Sequence, residues 1–208
     1  MTNMTTEAGA KNGIIEADAT TDQYIRERTD AKYFALLGDE NAEYSEVLDY
    51  EINELEPTVA KPFSPGNISV ARDLQGVEIN KAYIGSCTGA KLEDLRLAAK
   101  FMKGKKVKIR TEVLPATQSI YIKAINEGLI TTFMEAGAVV GPPTCGACCG
   151  AHMGVLGKNE ICISTTNRNF PGRMGHLESQ TYLASPMVVA ASSITGKITD
   201  PRVAVQNK

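Results

Sequence analysis

Three cysteines carry the clearest chemical signal in the chain. Cys145 and Cys148 lie three residues apart in a loop of glycine and proline, and Cys87 follows a short apolar run that ends at Gly85. Taken alone, a C-x-x-C pair fits half a zinc site, a redox pair or part of an iron–sulfur site. Zinc sites usually have a second close pair, which is absent here, and redox pairs usually follow the first strand of their domain. The pair therefore favours a cluster site without establishing one.

The other two cysteines are interpreted as structural. Cys149 is adjacent to Cys148, and because neighbouring side chains diverge we expect it to be a small apolar filler rather than a ligand of the same site. Cys162 stands between two isoleucines and is predicted to be a buried small hydrophobe. An odd number of unevenly spaced cysteines is typical of metal binding or catalysis in a reducing compartment rather than of a disulfide framework.

A second group of polar residues lies in the compact loop 167–173. It contains Asn167 and two arginines, Arg168 and Arg173, five residues apart around glycine and proline. Two guanidinium groups can bind carboxylates through paired hydrogen bonds, but two ordinary surface arginines fit the sequence equally well. His152 and His176 also lie in glycine-rich loops, and each is more simply interpreted as structural or solvated than as a catalytic base.

Alternating strand and helix patterns position these loops after residue 80. Apolar runs predict strands, and helical spacing of apolar residues predicts helices between them. The strands are expected at 82–86, 107–114, 138–140 and 161–164, and the helices at 92–104, 117–128, 131–136 and 185–194. This order predicts an α/β domain whose parallel sheet has helices on both faces. Because ligands bind beyond the carboxyl ends of such strands, we expect the cysteine and arginine loops at one edge of the sheet.

The composition of the sequence before residue 80 differs from that of the later part. Residues 16–50 are acidic and mixed, with short helices predicted at 22–28 and 42–47, and the prolines between 57 and 65 predict an extended connector. We therefore divide the chain into a partial domain at 1–55, a linker at 56–79 and an α/β domain at 80–208. Asn3 and Glu7 lie four residues apart, so a helix would place them on one face, although a frayed, solvated helix explains them equally well.

Composition argues against several classes of protein. The net charge is −2 and the pI is about 5.8, which disfavours nucleic acid or an anionic membrane as the main partner. No apolar run reaches the length of about 18 residues that a membrane span needs. The first residues combine no basic segment with an apolar core, so no signal peptide is predicted and the cytoplasm is the expected location.

Three long motifs resemble the aconitase superfamily. They are the segments Gly85–Thr88, Pro143–Cys148 and Ser164–His176. The similarity continues through 182–186 and 195–202, and residues 3–11 resemble an internal segment of the same proteins. Within the superfamily the sequence resembles the large subunits of isopropylmalate dehydratases, and it corresponds to their C-terminal half. The resemblance implies an aconitase-like three-layer α/β/α domain after residue 80, preceded by the remnant of another α/β domain.

The resemblance further implies a bound cluster and a dehydration reaction. The implied ligands of a [4Fe–4S] cluster are Cys87, Cys145 and Cys148. Three thiolates leave one iron of the cube open, where it can act as a Lewis acid on a substrate hydroxyl. The implied activity is a hydro-lyase reaction of leucine biosynthesis, which isomerises 2-isopropylmalate and 3-isopropylmalate by dehydration and rehydration.

Residues that bind the substrate, a small di- or tricarboxylate, are also implied by the resemblance. Arg168 and Arg173 are implied to bind its carboxylates, with Asn167 lining the cluster. Glu7 matches an active-site glutamate of the family and Asn3 a nearby asparagine. Further active-site groups are implied on an N-terminal half and on a swivelling small subunit, so the chain is expected to act only with both partners.

Two positions depart from the family pattern. Gly89 stands where members often have asparagine, and Cys149 where many have leucine. Homoaconitase and 2-methylmalate dehydratase large subunits are alternatives within the same reaction class. A non-catalytic iron–sulfur binding module and a truncated product without a cluster are the alternatives outside it. Because the resemblance begins inside a domain, we expect an exposed apolar face near residues 1–20.

Overall fold

A computed structural model describes residues 1–206, which divide into two compact units, one at residues 1–55 and one that starts at Glu56. The first unit has a 3-10 helix at Thr2–Ala8, the helix α1 at Ala19–Arg26 and a 3-10 turn at Ile52–Glu54. Asp18 caps α1, because its carboxylate accepts a hydrogen bond of 2.8 Å from the backbone amide of Thr21.

The first unit has no core of its own. Within residues 1–55 no side chain is buried, and Ile14 and Ile15 are 81% and 67% exposed, in agreement with the apolar face expected near the start. The helix predicted at 42–47 is wrong, since these residues form irregular backbone with a bend at Ser45. A helix this short is marginal in water unless an apolar face packs against something, and residues 42–47 are all exposed.

The second unit is organised around one mixed sheet, which contains seven strands within the described residues. They are β1 (Thr58–Ala60), β2 (Ile68–Val70), β3 (Lys81–Ile84), β4 (Arg110–Val113), β5 (Val139–Val140), β6 (Ile161–Ser164) and β7 (Gln180–Ala184). Their order across the sheet is β2-β1-β7-β6-β3-β4-β5. Strands β3 to β7 are parallel, and β1 pairs antiparallel with both β7 and β2. The predicted α/β class is confirmed.

Residues 56–79, which the prolines led us to expect as a linker, supply strands β1 and β2 at one edge of this sheet. The prolines do not interrupt the ladder because they lie outside the strands: Pro57 precedes β1, while Pro62 and Pro65 lie in the turn between β1 and β2. Strand β7 was also not predicted as a strand.

Helices cover the sheet face that carries Ala82 and Ile84 of β3. They are α3 (Leu92–Met102), α4 (Gln118–Asn126), α5 (Leu129–Ala136) and α6 (Pro186–Thr195). Of the two other helices, α2 (Ser86–Gly89) is a single turn that follows β3, and α7 (Pro201–Gln206) contacts α6. Helix α3 packs against α5 and α6, and α6 contacts β3 and β6, so that these elements share the main core with the sheet. Thr117 and Ser185 cap α4 and α6, since their side-chain hydroxyl groups accept hydrogen bonds from the backbone amides of Ile120 and Val188.

The opposite face carries a different set of strand residues. Alternation along β3 points Lys81 and Tyr83 to this side, and the register places Cys162 of β6 and Glu112 of β4 beside them. Tyr83 and Cys162 share a second buried cluster with residues of the loops 141–160 and 165–176, which flank β6 and are together named here the covering segment. Irregular backbone covers this part of the sheet, where the sequence led us to expect helices. Across residues 1–206, no helix is both long and apolar enough to cross a membrane.

Candidate functional site

The site lies where the winding of the sheet reverses. The chain runs from β3 outward to β4 and β5, and then returns to the other side of β3 with β6 and β7. The loops that leave the carboxyl ends of β3 and β6 therefore diverge to opposite sides and open a crevice, which is the usual ligand position in such sheets. Cys87 lies in the turn after β3, and Asn167 and Arg168 lie in the turn after β6.

The turn after β3 holds Cys87 in an unusual backbone conformation. The preceding residue, Ser86, is buried and has a φ of 79°, in the left-handed region that non-glycine residues rarely adopt. The Ser86 hydroxyl lies 3.0 Å from the Thr88 hydroxyl and accepts a 3.3 Å hydrogen bond from the Thr88 amide. Strain of this kind persists where the surroundings enforce it, and here it presents Cys87 with its side chain exposed.

Direct contacts join the turn after β3 to the turn after β6. The amide of Gly85 donates to the hydroxyl of Thr165 at 3.0 Å, and the amide of Thr165 donates to the carbonyl of Tyr83 at 3.0 Å. Gly89 approaches Thr165 so closely that a Cβ atom at residue 89 would lie 2.6 Å from the Thr165 hydroxyl oxygen. Glycine at this position thus allows the Cys87 turn to lie against the turn that carries Asn167 and Arg168.

The loop with the cysteine pair is drawn back toward β3, although it follows the edge strand β5. The hydroxyl of Tyr83 donates a 2.7 Å hydrogen bond to the carbonyl oxygen of Cys145. Residues Gly146–Cys149 then form one 3-10 turn, which ends at Gly150 in a left-handed conformation. These contacts place the Cys145 backbone over the strand that ends beside Cys87.

Arg173 lies beside the thiol of Cys148. Burial raises the pKa of Cys148, the neighbouring Cys145 and Cys149 raise it further, and the guanidinium of Arg173 opposes this shift through its charge and a hydrogen bond. A Cβ atom on Gly150 would lie 3.3 Å from the carbonyl oxygen of Arg173, so the two loops also touch through their backbones. Within the described part of the chain, Nε of Arg173 is buried and has no hydrogen-bond partner. The arrangement has the character of an anion site next to a thiol.

Asn169 anchors the arginine loop to the edge of the sheet. This residue is fully buried, and its Nδ2 donates to the carbonyl oxygens of Lys61 at 2.8 Å and Thr181 at 3.2 Å. Asn167 and Arg168, which immediately precede it, are half-buried. The anchor therefore fixes the backbone from which Asn167 and Arg168 project.

Glu7 and Asn3 belong to the first unit. Both are exposed residues of the 3-10 helix Thr2–Ala8. A 3-10 helix has three residues per turn, so residues four apart are rotated by about 120° and do not share a face. The α-helical geometry on which their shared face depended is therefore not the geometry of this segment, and the proposed roles of Asn3 and Glu7 stay predictions.

The remaining candidates have mixed outcomes. Cys162 is fully buried, as predicted, and burial raises the pKa of its thiol to about 12. Cys149 is exposed, so its interpretation as an apolar filler is wrong; it lies at the end of the 3-10 turn, directly before Gly150. His152 and His176 are exposed and make local hydrogen bonds, His152 with the Thr144 hydroxyl at 2.6 Å and His176 with the backbone of the following turn.

One buried ion pair beneath the site was missed from the sequence. Lys81 is fully buried, and its Nζ lies 2.8 Å from Oε2 of Glu112 and donates to the carbonyl oxygen of Gly154. A signal was present only for Lys81, which begins an otherwise apolar strand, because Glu112 lies in a strand that also holds Arg110 and Thr111. Sequence alone did not show that β3 and β4 are neighbours whose charged side chains point to the same face.

The cysteines do not form a site for a single ion. Among residues 1–206, no group of three or more His, Cys, Asp or Glu side chains is close enough to hold one metal ion. A cube of four irons distributes its thiolates over separate corners and spaces them more widely than one ion does. The arrangement is thus unlike a zinc site.

Comparison with known proteins assigns the chain to a family. The profile described as "Aconitase family (aconitate hydratase)" matches residues 1–73 and 67–196. The chain is similar to the "3-isopropylmalate dehydratase large subunit" of Clostridium botulinum (strain Eklund 17B / Type B), with 52% identity over 205 residues that cover 98% of this chain and 49% of the relative.

Other curated relatives give the same result. The "3-isopropylmalate dehydratase large subunit 1" of Pyrococcus furiosus is 50% identical over 211 residues, covering 99% of this chain and 50% of the relative. The large subunit from Campylobacter hominis is 54% identical over 212 residues, covering 97% and 49%. The chain spans about half the length of the curated relatives it matches. Because the family profile matches most of the sequence, this chain belongs to the aconitase family.

Proposed function

We propose that this chain is the cluster-binding part of a 3-isopropylmalate dehydratase large subunit. The observation that carries the proposal is the meeting of three loops at the carboxyl ends of β3 and β6. The first bears Cys87, the second bears Cys145 and Cys148, and the third places Arg173 beside the Cys148 thiol. The proposed substrate comes from the relatives, which are named 3-isopropylmalate dehydratase large subunits. We infer further parts because this chain spans about half the length of those relatives.

The residues present fit a [4Fe–4S] cluster held by Cys87, Cys145 and Cys148. Thiolates are the protein ligands that iron–sulfur clusters prefer, and three of them leave one iron open to substrate. Burial raises the pKa of the Cys148 thiol, and the charge of Arg173 offsets part of that rise. The buried Nε of Arg173, which has no partner among the described residues, suits an anionic group at this position. When bound, the cluster supplies a Lewis-acidic iron that polarises the departing hydroxyl group.

The arginines would hold the substrate. A guanidinium group can donate two parallel hydrogen bonds to a carboxylate, so Arg168 and Arg173 would fix the two ends of a small dicarboxylate while Asn167 orients the group between them. The anchor through Asn169 restricts how the Arg168 backbone can move, which favours one substrate orientation. Correct orientation is a large part of catalysis, because a misplacement of about 1 Å can cost roughly 10²-fold in rate.

The complete reaction would need further chains. We propose that Glu7 contributes to the proton transfers and that Asn3 lines the substrate, each when the first unit is assembled with an N-terminal half. A swivelling small subunit would supply the remaining carboxylate contacts and the base. The absence of buried side chains in residues 1–55 supports a partner for that unit. We place this enzyme in the cytoplasm, as expected from the sequence.

Anaerobic reconstitution with iron and sulfide tests the ligand set. The wild-type chain should bind about four irons and develop visible absorption, while Cys148→Ala should lose both. Cys149→Ala is the matched control, because Cys149 is the adjacent thiol and lies outside the proposed ligand set. Loss of the cluster in Cys149→Ala with retention in Cys148→Ala would overturn the assignment.

Substrate binding is tested separately on the assembled enzyme. Arg173→Lys keeps the positive charge but removes paired hydrogen bonding to a carboxylate, so kcat/KM for isopropylmalate should fall by about 10²-fold or more. Lys158→Met, a substitution at an exposed cation of the same unit, is the control and should leave kcat/KM unchanged. Equal activity of Arg173→Lys and wild type would contradict the proposed clamp.

A further inference from the structure

Tyr83 lies between the two glycine turns that carry the proposed cluster ligands. Its side chain is fully buried in β3, on the face of the sheet under the covering segment. On one edge of the ring, a Cβ atom added to Gly85 would lie 2.5 Å from Cε1. On the other edge, a Cβ atom added to Gly146 would lie 3.3 Å from Cε2 and 2.9 Å from Oη. Gly85 is two residues before Cys87, and Gly146 directly follows Cys145.

The hydroxyl group fixes the second of these contacts. Oη of Tyr83 donates to the carbonyl oxygen of Cys145 at 2.7 Å, so the ring both separates the two turns and holds one of them. Burial raises the pKa of Tyr83 well above its ordinary value, and the nearby thiols and Glu112 act in the same direction. The hydroxyl therefore stays protonated and remains a donor at neutral pH.

Surrounding residues keep the ring in place. Leu114, Leu156 and Met174 are buried in the same cluster as Tyr83. Nζ of Lys81 lies 5.5 Å from the centre of the ring. With buried neighbours in the same cluster and a glycine turn at each edge, the ring is closely packed, and it can act as a spacer between the two turns.

We propose that Tyr83 is a positioning residue that sets the distance between the turn carrying Cys87 and the loop carrying Cys145 and Cys148. The role of Tyr83 in holding a cluster rests on the proposed function. The distance between the two cysteine loops, however, can be measured on the protein without a cluster. Ligands that are held near their final geometry bind a metal group with less loss of conformational entropy. Tyr83 would thus act on cluster retention through the cysteines, without touching the substrate.

The first experiment measures the spacing without a cluster. Cys148→Ser and Cys149→Ser are introduced into the full chain, which leaves Cys87 and Cys145 as exposed thiols and Cys162 buried. Bifunctional methanethiosulfonates of graded length then cross-link the exposed pair, and the rate with the best length is measured. Tyr83→Leu should slow this cross-link about tenfold, because proximity and orientation control such intramolecular reactions. Tyr83→Phe, which keeps the ring and loses one hydrogen bond, should slow it about threefold.

Phe133→Leu is the matched control. Phe133 is another fully buried aromatic residue of this unit, but it belongs to the helix-covered core. Its substitution should lower stability to a similar extent and leave the cross-linking rate unchanged. A Tyr83→Leu rate equal to that of Phe133→Leu would overturn the proposal. If Tyr83→Leu does not fold, Tyr83→Phe is used in its place. A cross-linking rate in Tyr83→Phe equal to that of the chain with Tyr83 intact would then overturn the proposal.

The second experiment follows the cluster. In otherwise wild-type chain reconstituted without oxygen, Tyr83→Leu should lose iron to a chelator about tenfold faster than Phe133→Leu, with Tyr83→Phe between them. Iron loss at the same rate in all three variants would contradict the role in cluster retention. If the wild-type chain binds no cluster, the proposed function fails, and the cross-linking rates still decide whether Tyr83 sets the spacing.

Discussion

Lys81 and Glu112 form a buried ion pair, and replacing each residue alone should lower the free energy of unfolding by a different amount. Nζ of Lys81 is 2.8 Å from Oε2 of Glu112, and the side chains are 0% and 7% exposed. Lys81 also donates to the carbonyl of Gly154, whereas Glu112 has a second cation nearby, with Nε of Arg110 at 3.9 Å. Each substitution thus leaves a different charge behind.

Removing one member of a buried ion pair costs about 3–5 kcal/mol, because the other charge is left without compensation. We expect the loss of stability in Glu112→Leu to lie near the upper end of this range, because Lys81 then keeps only its contact with the Gly154 carbonyl oxygen. Lys81→Met should lie near the lower end, because Arg110 remains beside Glu112. The double variant replaces both charges by apolar side chains and should lie within about 1 kcal/mol of wild type or above it. The two substitutions are therefore expected to be strongly non-additive.

Urea unfolding of the full chain, followed by circular dichroism, measures these free energies. A loss of 3–5 kcal/mol corresponds to a decrease in Tm of roughly 6–20 °C for a domain of this size. The control is the exposed pair of Lys158 and Glu178, whose charged atoms lie 3.3 Å apart. Lys158→Met should change stability by about 0.5 kcal/mol or less. Single variants of the buried pair that match this control, with additive effects, would refute the reasoning.

Two further predictions concern titration and thiol reactivity. Hydrogen bonds from Arg202 lower the pKa of Asp200 below its usual range, so the stability that this carboxylate contributes is present at neutral pH and is lost as the pH falls below about 4. The difference in unfolding free energy between wild type and Asp200→Asn should therefore become smaller as the pH is lowered from 7 to 3. A difference that stays constant over this range would contradict the prediction. Burial and a pKa of about 12 should protect Cys162 from iodoacetamide in the native chain, while the exposed thiols react. Peptide mass spectrometry measures which cysteines are alkylated. Labelling of Cys162 before denaturant is added would contradict the prediction.

The order of elements explains why much of the site could be predicted. Cys87 and Arg168 directly follow apolar strands, and residues at the carboxyl ends of parallel strands meet at one edge whatever the details of packing. The strands β3 to β6 and the helices α3 to α6 also have enough apolar residues at regular spacing to be recognised locally.

Contacts between distant parts of the chain could not be predicted. Strands β1 and β2 have three residues each, too few for a periodic pattern, and they exist because β7 offers an edge to pair with. The return of the Cys145 loop to β3 includes a hydrogen bond from the Tyr83 hydroxyl, which joins residues that are 62 positions apart in the sequence. The exposure of Cys149 depends on how one 3-10 turn ends, which the sequence pattern does not specify.

Polar residues in β3 indicate which face of the sheet is covered by irregular backbone. A helix satisfies its own carbonyl groups, but an irregular segment laid on a sheet needs donors from below. Lys81 supplies one to the carbonyl of Gly154, and Tyr83 supplies another to the carbonyl of Cys145. The alternation of Lys81 and Tyr83 with Ala82 and Ile84 thus separates a face that hydrogen-bonds a loop from a face that packs against helices. A donor on every second residue of a buried parallel strand is therefore a sequence signal for a site built from loops above that strand.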